Sequence, residues 1–217
     1  ALAIGLFLKT QNKLYLAFST LLFIGIIFTF SRSAYLAALT TIAVIGIVKS
    51  PKLLIISLAA FILASVFIPQ VRSRIYGALT FDDTSQARVI SWQNAISIFQ
   101  KNPVFGVGFN TYRHAQEKYG FFAQDNPTGG HSGAGSDSSI LTVAATTGAF
   151  GLFAYLFLLT SIVKNLYKKI HQSYINLAVL AAFAGLLVHS QFVNSLFFPQ
   201  IMLVLWVFLG LADSNDS

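Results

Sequence analysis

Residues 139–163 read SILTVAATTGAFGLFAYLFLLTSIV and contain no charged side chain. A helix over these positions would be roughly 37 Å long, enough to cross a hydrocarbon core of about 30 Å. Other backbone conformations do not cross in contact with lipid, because each unpaired peptide group in hydrocarbon costs several kcal/mol. The segment therefore predicts a membrane-spanning helix.

The composition of the whole chain agrees with a lipid environment. Its 217 residues are 55% hydrophobic and 10% charged, with a mean hydropathy of +0.70. Water-soluble domains are about 25% charged, and their helices keep a polar stripe. Cysteine is absent, which excludes disulfides, thiolate nucleophiles and thiolate metal sites from these residues.

Five further apolar segments are long enough to cross a membrane with help from their flanks: 14–30, 33–48, 53–68, 174–190 and 197–211. The opening ALAIGLFL has the composition of the end of another helix. We therefore expect an all-α fold, a transmembrane bundle of about six spans plus a partial N-terminal one. Residues 1–217 would form a single membrane domain within a longer chain.

The short loops between these segments carry lysines, which indicate the orientation of the chain. These cations are Lys9, Lys13, Lys49, Lys52, Lys164, Lys168 and Lys169. The positive-inside rule places them in the cytoplasm, so the long polar loop 69–138 is predicted to be extracytoplasmic. Within that loop, Ser85–Gln100 has apolar residues at helical spacing with polar residues between them, which predicts an interfacial helix.

All five arginines fall in segments predicted to face outward, at positions 32, 72, 74, 88 and 113. The guanidinium group is a planar fork that binds phosphate oxygens in two places, so this set predicts a phosphate-bearing ligand. Arg32, between two apolar spans, and Arg88, four residues before Trp92 on one helical face, are the first candidates. Arg72 and Arg74 rank second. The alternative is that the arginines contact lipid headgroups.

Two residues near the end of the loop are candidates for moving a proton. Asp137 stands just before the span that begins near Ser139, and His131 lies in the glycine-rich segment upstream. Capping of the helix by Asp137 or Ser136 is the alternative. The sequence contains no metal-ligand spacing, phosphate-binding glycine loop or serine-hydrolase elbow.

Three stretches, taken in order, resemble the O-antigen ligase and polymerase family: TFSRSAYLAAL, ARVISWQNAISIFQKNPVFGVGFNTY and DSSILTVAATTGAFGLFAYL. In that family a span-end Ser-Arg, a loop arginine followed by tryptophan and an NPxxGxG turn recur together. Arg32 matches the first element and Arg88 the second. A final motif fits Ser138, Gly148 and Gly151. Asp137 stands where the family pattern has histidine.

The resemblance implies transfer of a glycan from an undecaprenyl-diphosphate carrier to a hydroxyl of a glycan, lipid or protein acceptor. The reaction would invert the anomeric carbon at the outer face of the bacterial cytoplasmic membrane, with no metal or other cofactor and no nucleic-acid partner. Arg88 and Arg32 would clamp the diphosphate, with Arg72 and Arg74 as further substrate contacts, and Asp137 or His131 would be the base. The alternative is a non-catalytic transporter or channel, although acids and bases are absent from the centres of the predicted spans.

Overall fold

The computed structural model describes residues 1–122 and 133–214. Over these ranges every regular element is helical, which confirms the all-α prediction. The helices are α1 (Leu2–Thr10), α2 (Lys13–Phe28), α3 (Arg32–Lys49), α4 (Pro51–Phe67), α5 (Pro69–Leu79), α6 (Asp83–Lys101), α7 (Tyr112–Lys118), α8 (Ser139–Lys169), α9 (Tyr174–His189) and α10 (Pro199–Ser214). A short 3-10 turn, Ser195–Phe197, precedes α10.

Each of the six apolar segments is helical, forming α2, α3, α4, α8, α9 and α10, although α8 is interrupted at Gly148. Two of them, α3 and α8, are long and apolar enough by themselves to cross a membrane. Helices α4 and α5 qualify only as one span bent by 95°, and α2, α9 and α10 are shorter apolar helices. The structure thus supports two or three spans directly, and the count of about six stays a prediction.

The helix starts follow from local chemistry. The side chain of Asn12 accepts a hydrogen bond from Leu14 N–H at 2.9 Å at the start of α2. Asp82 accepts one from Ser85 N–H at 3.0 Å at the start of α6. Helices α4 and α5 instead begin with a proline, whose missing N–H is not needed in the first turn.

The chain divides into two compact units. The first contains residues 1–80, 162–189 and those from 199 onward. Its core includes Ile45, Leu166 and Leu177. Helices α3 and α9 pack closely there, and glycine at position 185 makes this possible. A Cβ atom on Gly185 would lie only 2.6 Å from the carbonyl oxygen of Ala37.

The second unit contains residues 81–161 and 190–198. It is built from α6, α7, the first part of α8 and the turn that follows α9. The predicted helix Ser85–Gln100 is present as α6, with slightly wider bounds. Its core is a small cluster of buried side chains: Ala95, Ile98, Tyr112, Ala115 and Ala145.

The sequence did not predict two short helices of the polar loop, α5 and α7. Helix α5 buries Val71, while Arg72 and Arg74 are exposed. Helix α7 buries Tyr112 and Gln116 and exposes four charged or titratable side chains. Each helix is stabilised by a few apolar contacts. The polar average composition of the loop gives no sign of these contacts.

Helix α8 is broken at Gly148, where φ is 66° and ψ is −163°. We call residues 102–109 the glycine turn; it packs against this break. Three backbone hydrogen bonds join them: Val107 N–H to Ala145 O at 3.0 Å, Gly108 N–H to Thr146 O at 2.8 Å, and Ala149 N–H to Pro103 O at 2.8 Å. The turn thus satisfies peptide groups that the interrupted helix leaves unpaired.

Two glycines are required at this contact. A Cβ atom on Gly106 would lie 2.4 Å from the carbonyl carbon of Thr146, and one on Gly148 would lie 2.3 Å from the carbonyl oxygen of Val104. Both glycines also have φ near +66°, which other residues rarely adopt. Gly106 belongs to the NPxxGxG turn and Gly148 to the last of the family motifs. The close contact between the two backbones explains why glycine is needed at both positions.

Candidate functional site at the start of helix α8

The first residues of α8 are held by hydroxyl groups of the chain around them. The Ser138 hydroxyl accepts a hydrogen bond from Leu141 N–H at 3.3 Å and donates one to Gln191 Oε1 at 3.2 Å. The Ser139 N–H donates to the carbonyl of Ser190 at 2.8 Å. The Ser138 side chain is therefore the hydrogen-bonding cap of α8, and Asp137 lies one residue before it.

Asp137 contacts helix α6. Its N–H donates to the Ser91 hydroxyl at 3.0 Å, and its carboxyl lies close to the same hydroxyl. Burial raises the pKa of the Asp137 carboxyl, while the positive charge of Arg88 and the Ser91 hydrogen bond partly lower it. The structure therefore brings together Arg88 and Asp137, two site candidates from different parts of the predicted loop.

An aromatic side chain of the 190–198 turn lies against α6. The Phe192 ring centre is 6.0 Å from Arg88 Cζ and 5.9 Å from the ring centre of Trp92. Arg88 and Trp92 are thus on one helical face, as their spacing predicts. Sequence reasoning missed both Phe192 and Ser91, because neither belongs to a motif that indicates chemistry.

Tyr112 adds a polar group beside this site. Its hydroxyl is buried near Ser136 and Asp137, and it makes no hydrogen bond of normal geometry within residues 1–122 and 133–214. Burial raises the pKa of the Tyr112 hydroxyl, and the negative charge of Asp137 raises it further. The hydroxyl therefore stays protonated near neutral pH and is available as a hydrogen-bond donor.

The remaining arginine candidates belong to the first unit. Arg32 is the first residue of α3 and is half-buried, while Arg72 is exposed on α5. Arg74 is also exposed and lines a cavity of about 540 Å³, together with Phe30 and three residues of α5. Their roles in binding substrate stay predictions. His131 lies outside the residues that the structure describes.

The site combines an anion-binding group with a proton acceptor. A guanidinium group binds phosphate oxygens, and a half-buried carboxylate with a raised pKa accepts a proton more readily than an ordinary aspartate does. Within the described part of the chain, no group of three or more His, Asp or Glu residues is placed to hold a metal ion. The chemistry that Arg88 and Asp137 themselves can provide is electrostatic stabilisation and proton transfer.

Comparison with known proteins agrees with the resemblance. A family model described as O-antigen ligase matches residues 17–156, which contain the Ser-Arg element, helix α6, the glycine turn and the start of α8. No curated protein and no solved structure matches the chain. The match covers more than half of the 217 residues. The chain belongs to the O-antigen ligase family, whose members are bacterial membrane glycosyltransferases of cell-surface polysaccharide synthesis.

Proposed function

We propose that this protein transfers a glycan from an undecaprenyl-diphosphate carrier to an acceptor hydroxyl at the outer face of the bacterial cytoplasmic membrane. The observation that carries the proposal is the contact of Asp137, at the start of α8, with Ser91, which lies one helical turn from Arg88 on α6. Glycan transfer from a diphosphate needs a cation for the leaving group and a base for the acceptor. Both groups are available in one place.

Arg88 is the proposed diphosphate ligand. Charge builds up on the diphosphate oxygens as the bond to the sugar breaks, and a fixed guanidinium group stabilises that charge most where water is excluded. Phe192 lies against Arg88 and limits the directions in which its side chain can extend. Arg32 is the proposed second arginine of the clamp, as its family motif implies.

Asp137 is the proposed base. The acceptor oxygen attacks C1 of the donor sugar while its proton passes to the Asp137 carboxylate. The C1–oxygen bond to phosphate breaks, and the diphosphate leaves with the electron pair. A single displacement of this kind inverts the anomeric centre, and it proceeds in this scheme without a metal ion. The raised pKa of the Asp137 carboxyl makes it a stronger base than an exposed aspartate.

The proposed topology has six spans, with the loop 69–138 outside the cytoplasm. Helices of 16 residues such as α2 and α9 are roughly 24 Å long and cross when the bilayer thins or flanking residues reach the interface. Single cysteines at Lys52 and Lys118 test this, because residues 1–217 contain no cysteine and any cysteine elsewhere in the full-length protein is replaced by serine. In intact cells a membrane-impermeant thiol reagent should label position 118 and not position 52.

Glycan transfer by membranes that contain the full-length protein tests the reaction. We expect Arg88→Ala to reduce transfer by about 10²–10³-fold, the cost of removing one donor that stabilises transition-state charge. Arg88→Lys should keep part of the activity. Arg113→Ala is the matched control, since Arg113 is an exposed arginine of α7. Full activity of Arg88→Ala would refute the clamp.

Removing the protein from cells distinguishes two reactions of the same chemistry. A ligase would leave finished polymer on the lipid carrier. A polymerase would leave single repeat units there. An unchanged set of lipid-linked glycans would contradict both reactions and would favour a different role for the loop.

A further inference from the structure

The glycine turn exposes apolar side chains to its surroundings. Phe109 is 91% exposed and Phe105 is 75% exposed, and Val104 is exposed as well. Helix α7, which follows directly, exposes Arg113, His114, Glu117 and Lys118 instead. Adjacent segments of one polar loop thus present two different surfaces, one made of aromatic rings and one made of charges.

The aromatic surface continues onto α8. The Phe105 ring stacks on the ring of Phe150, with centres 5.8 Å apart and planes 18° apart. Phe153 and Phe157 follow Phe150 at spacings of three and seven residues, so they lie on the same helical face, and all three are exposed. Because α8 is long and apolar enough to cross a membrane, this face is expected to contact lipid.

The position of Phe150 along α8 indicates its depth. The first charged residue after Phe150 is Lys164, which we take as one membrane boundary. The helix rises about 21 Å between these residues, less than the roughly 30 Å thickness of the hydrocarbon core. Phe150, and the Phe105 ring stacked on it, therefore fall inside the core on the side from which the loop extends.

We infer that the glycine turn is inserted into the bilayer, with lipid hydrocarbon as the partner of Phe105 and Phe109. Each unpaired peptide group in hydrocarbon costs several kcal/mol, so hydrogen bonds that pair the backbone of the turn lower the cost of its insertion. The N–H groups of Gly106, Val107 and Gly108 are all paired, the first within the turn and the other two with α8. Three N–H groups of the turn are thus paired, and its exposed apolar side chains suit a hydrocarbon environment.

Spin labelling tests this inference independently of the transfer reaction. Phe109→Cys is the informative variant, because a side chain that is 91% exposed supports little of the fold. Glu117→Cys, an exposed position on α7, is the matched control. The full-length protein, with any cysteine outside residues 1–217 replaced by serine, is labelled with a nitroxide and reconstituted into phosphatidylethanolamine and phosphatidylglycerol vesicles. Collision with molecular oxygen and with a water-soluble nickel chelate is then measured.

We expect the ratio of oxygen to nickel accessibility to be several-fold higher at position 109 than at position 117, because oxygen concentrates in hydrocarbon and the chelate does not. Equal ratios at the two positions would place the turn in water and overturn the inference. An immobile label at position 109 that neither reagent reaches would show that protein covers the turn, which also overturns it. Phe105→Cys repeats the measurement at the second ring.

Discussion

The two helices that are long enough by themselves to cross a membrane, α3 and α8, start in similar ways with opposite charges. Ser31 caps α3, and Arg32 follows it. Ser138 caps α8, and Asp137 precedes it. The N-terminus of a helix carries partial positive charge, so a carboxylate there stabilises the helix and a cation destabilises it by roughly 0.3–1 kcal/mol. Helix stability therefore accounts for a carboxylate before α8 and does not account for Arg32.

The two helices also differ further along. Helix α3 is continuous, whereas α8 is interrupted at Gly148, where the glycine turn bonds to it. At this interruption the glycine turn, which directly follows α6, is hydrogen-bonded to α8. Arg88 lies on α6, and Asp137 lies just before α8. Helix α8 is therefore shaped by the segments that carry its candidate residues Arg88 and Asp137. Helix α3 is regular and carries its candidate residue, Arg32, in its first turn.

The largest expected effect is at Asp137. Asp137→Asn removes the proposed base and keeps the size of the side chain, so transfer should fall by about 10²–10⁴-fold. Asp137→His should recover much of the activity, because the family pattern has histidine at this position and imidazole accepts protons near neutral pH. Glycan transfer by purified membranes measures both variants.

His131→Ala is the control for that experiment. We expect it to retain most of the parental activity, since Asp137 is the carboxylate that lies beside Arg88. Loss of activity in His131→Ala together with full activity in Asp137→Asn would make His131 the base. It would also leave helix stabilisation as the explanation of Asp137.

The break in α8 should have the next largest effect. Gly148→Ala introduces a Cβ atom 2.3 Å from the Val104 carbonyl oxygen at a φ of +66°, so the free energy of unfolding should fall by about 1–3 kcal/mol or more. Gly25→Ala in α2 is the matched control, since no atom lies within 4 Å of its Cβ position. Thermal unfolding in detergent compares the two. Equal melting temperatures would show that the glycine turn does not constrain α8.

The pH profile of transfer should change when Arg88 is replaced. The proposed mechanism requires the Asp137 carboxylate, so activity should fall as the pH drops through the pKa of this group. Arg88 lowers that pKa. Its loss in Arg88→Gln should therefore raise the pKa and move the acid limb to higher pH, whereas Arg88→Lys should leave the limb nearly in place. The residual activity of each variant, followed from acid to neutral pH, measures the shift.

Much of this molecule was predictable from its sequence, for identifiable reasons. Uninterrupted apolar length predicts α8, and helical spacing predicts the shared face of Arg88 and Trp92. The contact of Asp137 with Ser91 was not predictable, because it depends on how α6 packs against the segment before α8. Phe192 gave no signal either, since an aromatic residue in an apolar turn is common in membrane proteins.

A smaller effect is expected at Phe192. Phe192→Leu keeps an apolar side chain but removes the ring that lies against Arg88, so transfer should fall only by about two- to fivefold. Phe192→Tyr should restore it, because it keeps the aromatic face. Phe197→Leu is the control in the same turn, since Phe197 stacks on Tyr155 instead. An equal loss in Phe192→Leu and Phe197→Leu would indicate a general disturbance of the turn.

We expect the smallest change in the free energy of unfolding for the substitution of Arg32. Losing a half-buried side chain usually lowers this free energy, but the charge effect here has the opposite sign. Arg32→Ala removes a cation from the positive end of α3, and this charge effect by itself should raise the free energy of unfolding by roughly 0.3–1 kcal/mol. The KM for the lipid-linked donor should rise in the same variant, while Arg32→Lys keeps the charge and should raise KM less. A variant that unfolds at lower temperature with unchanged donor use would make Arg32 a structural residue. It would remove the contrast between the starts of α3 and α8, because both charged residues would then have structural roles only.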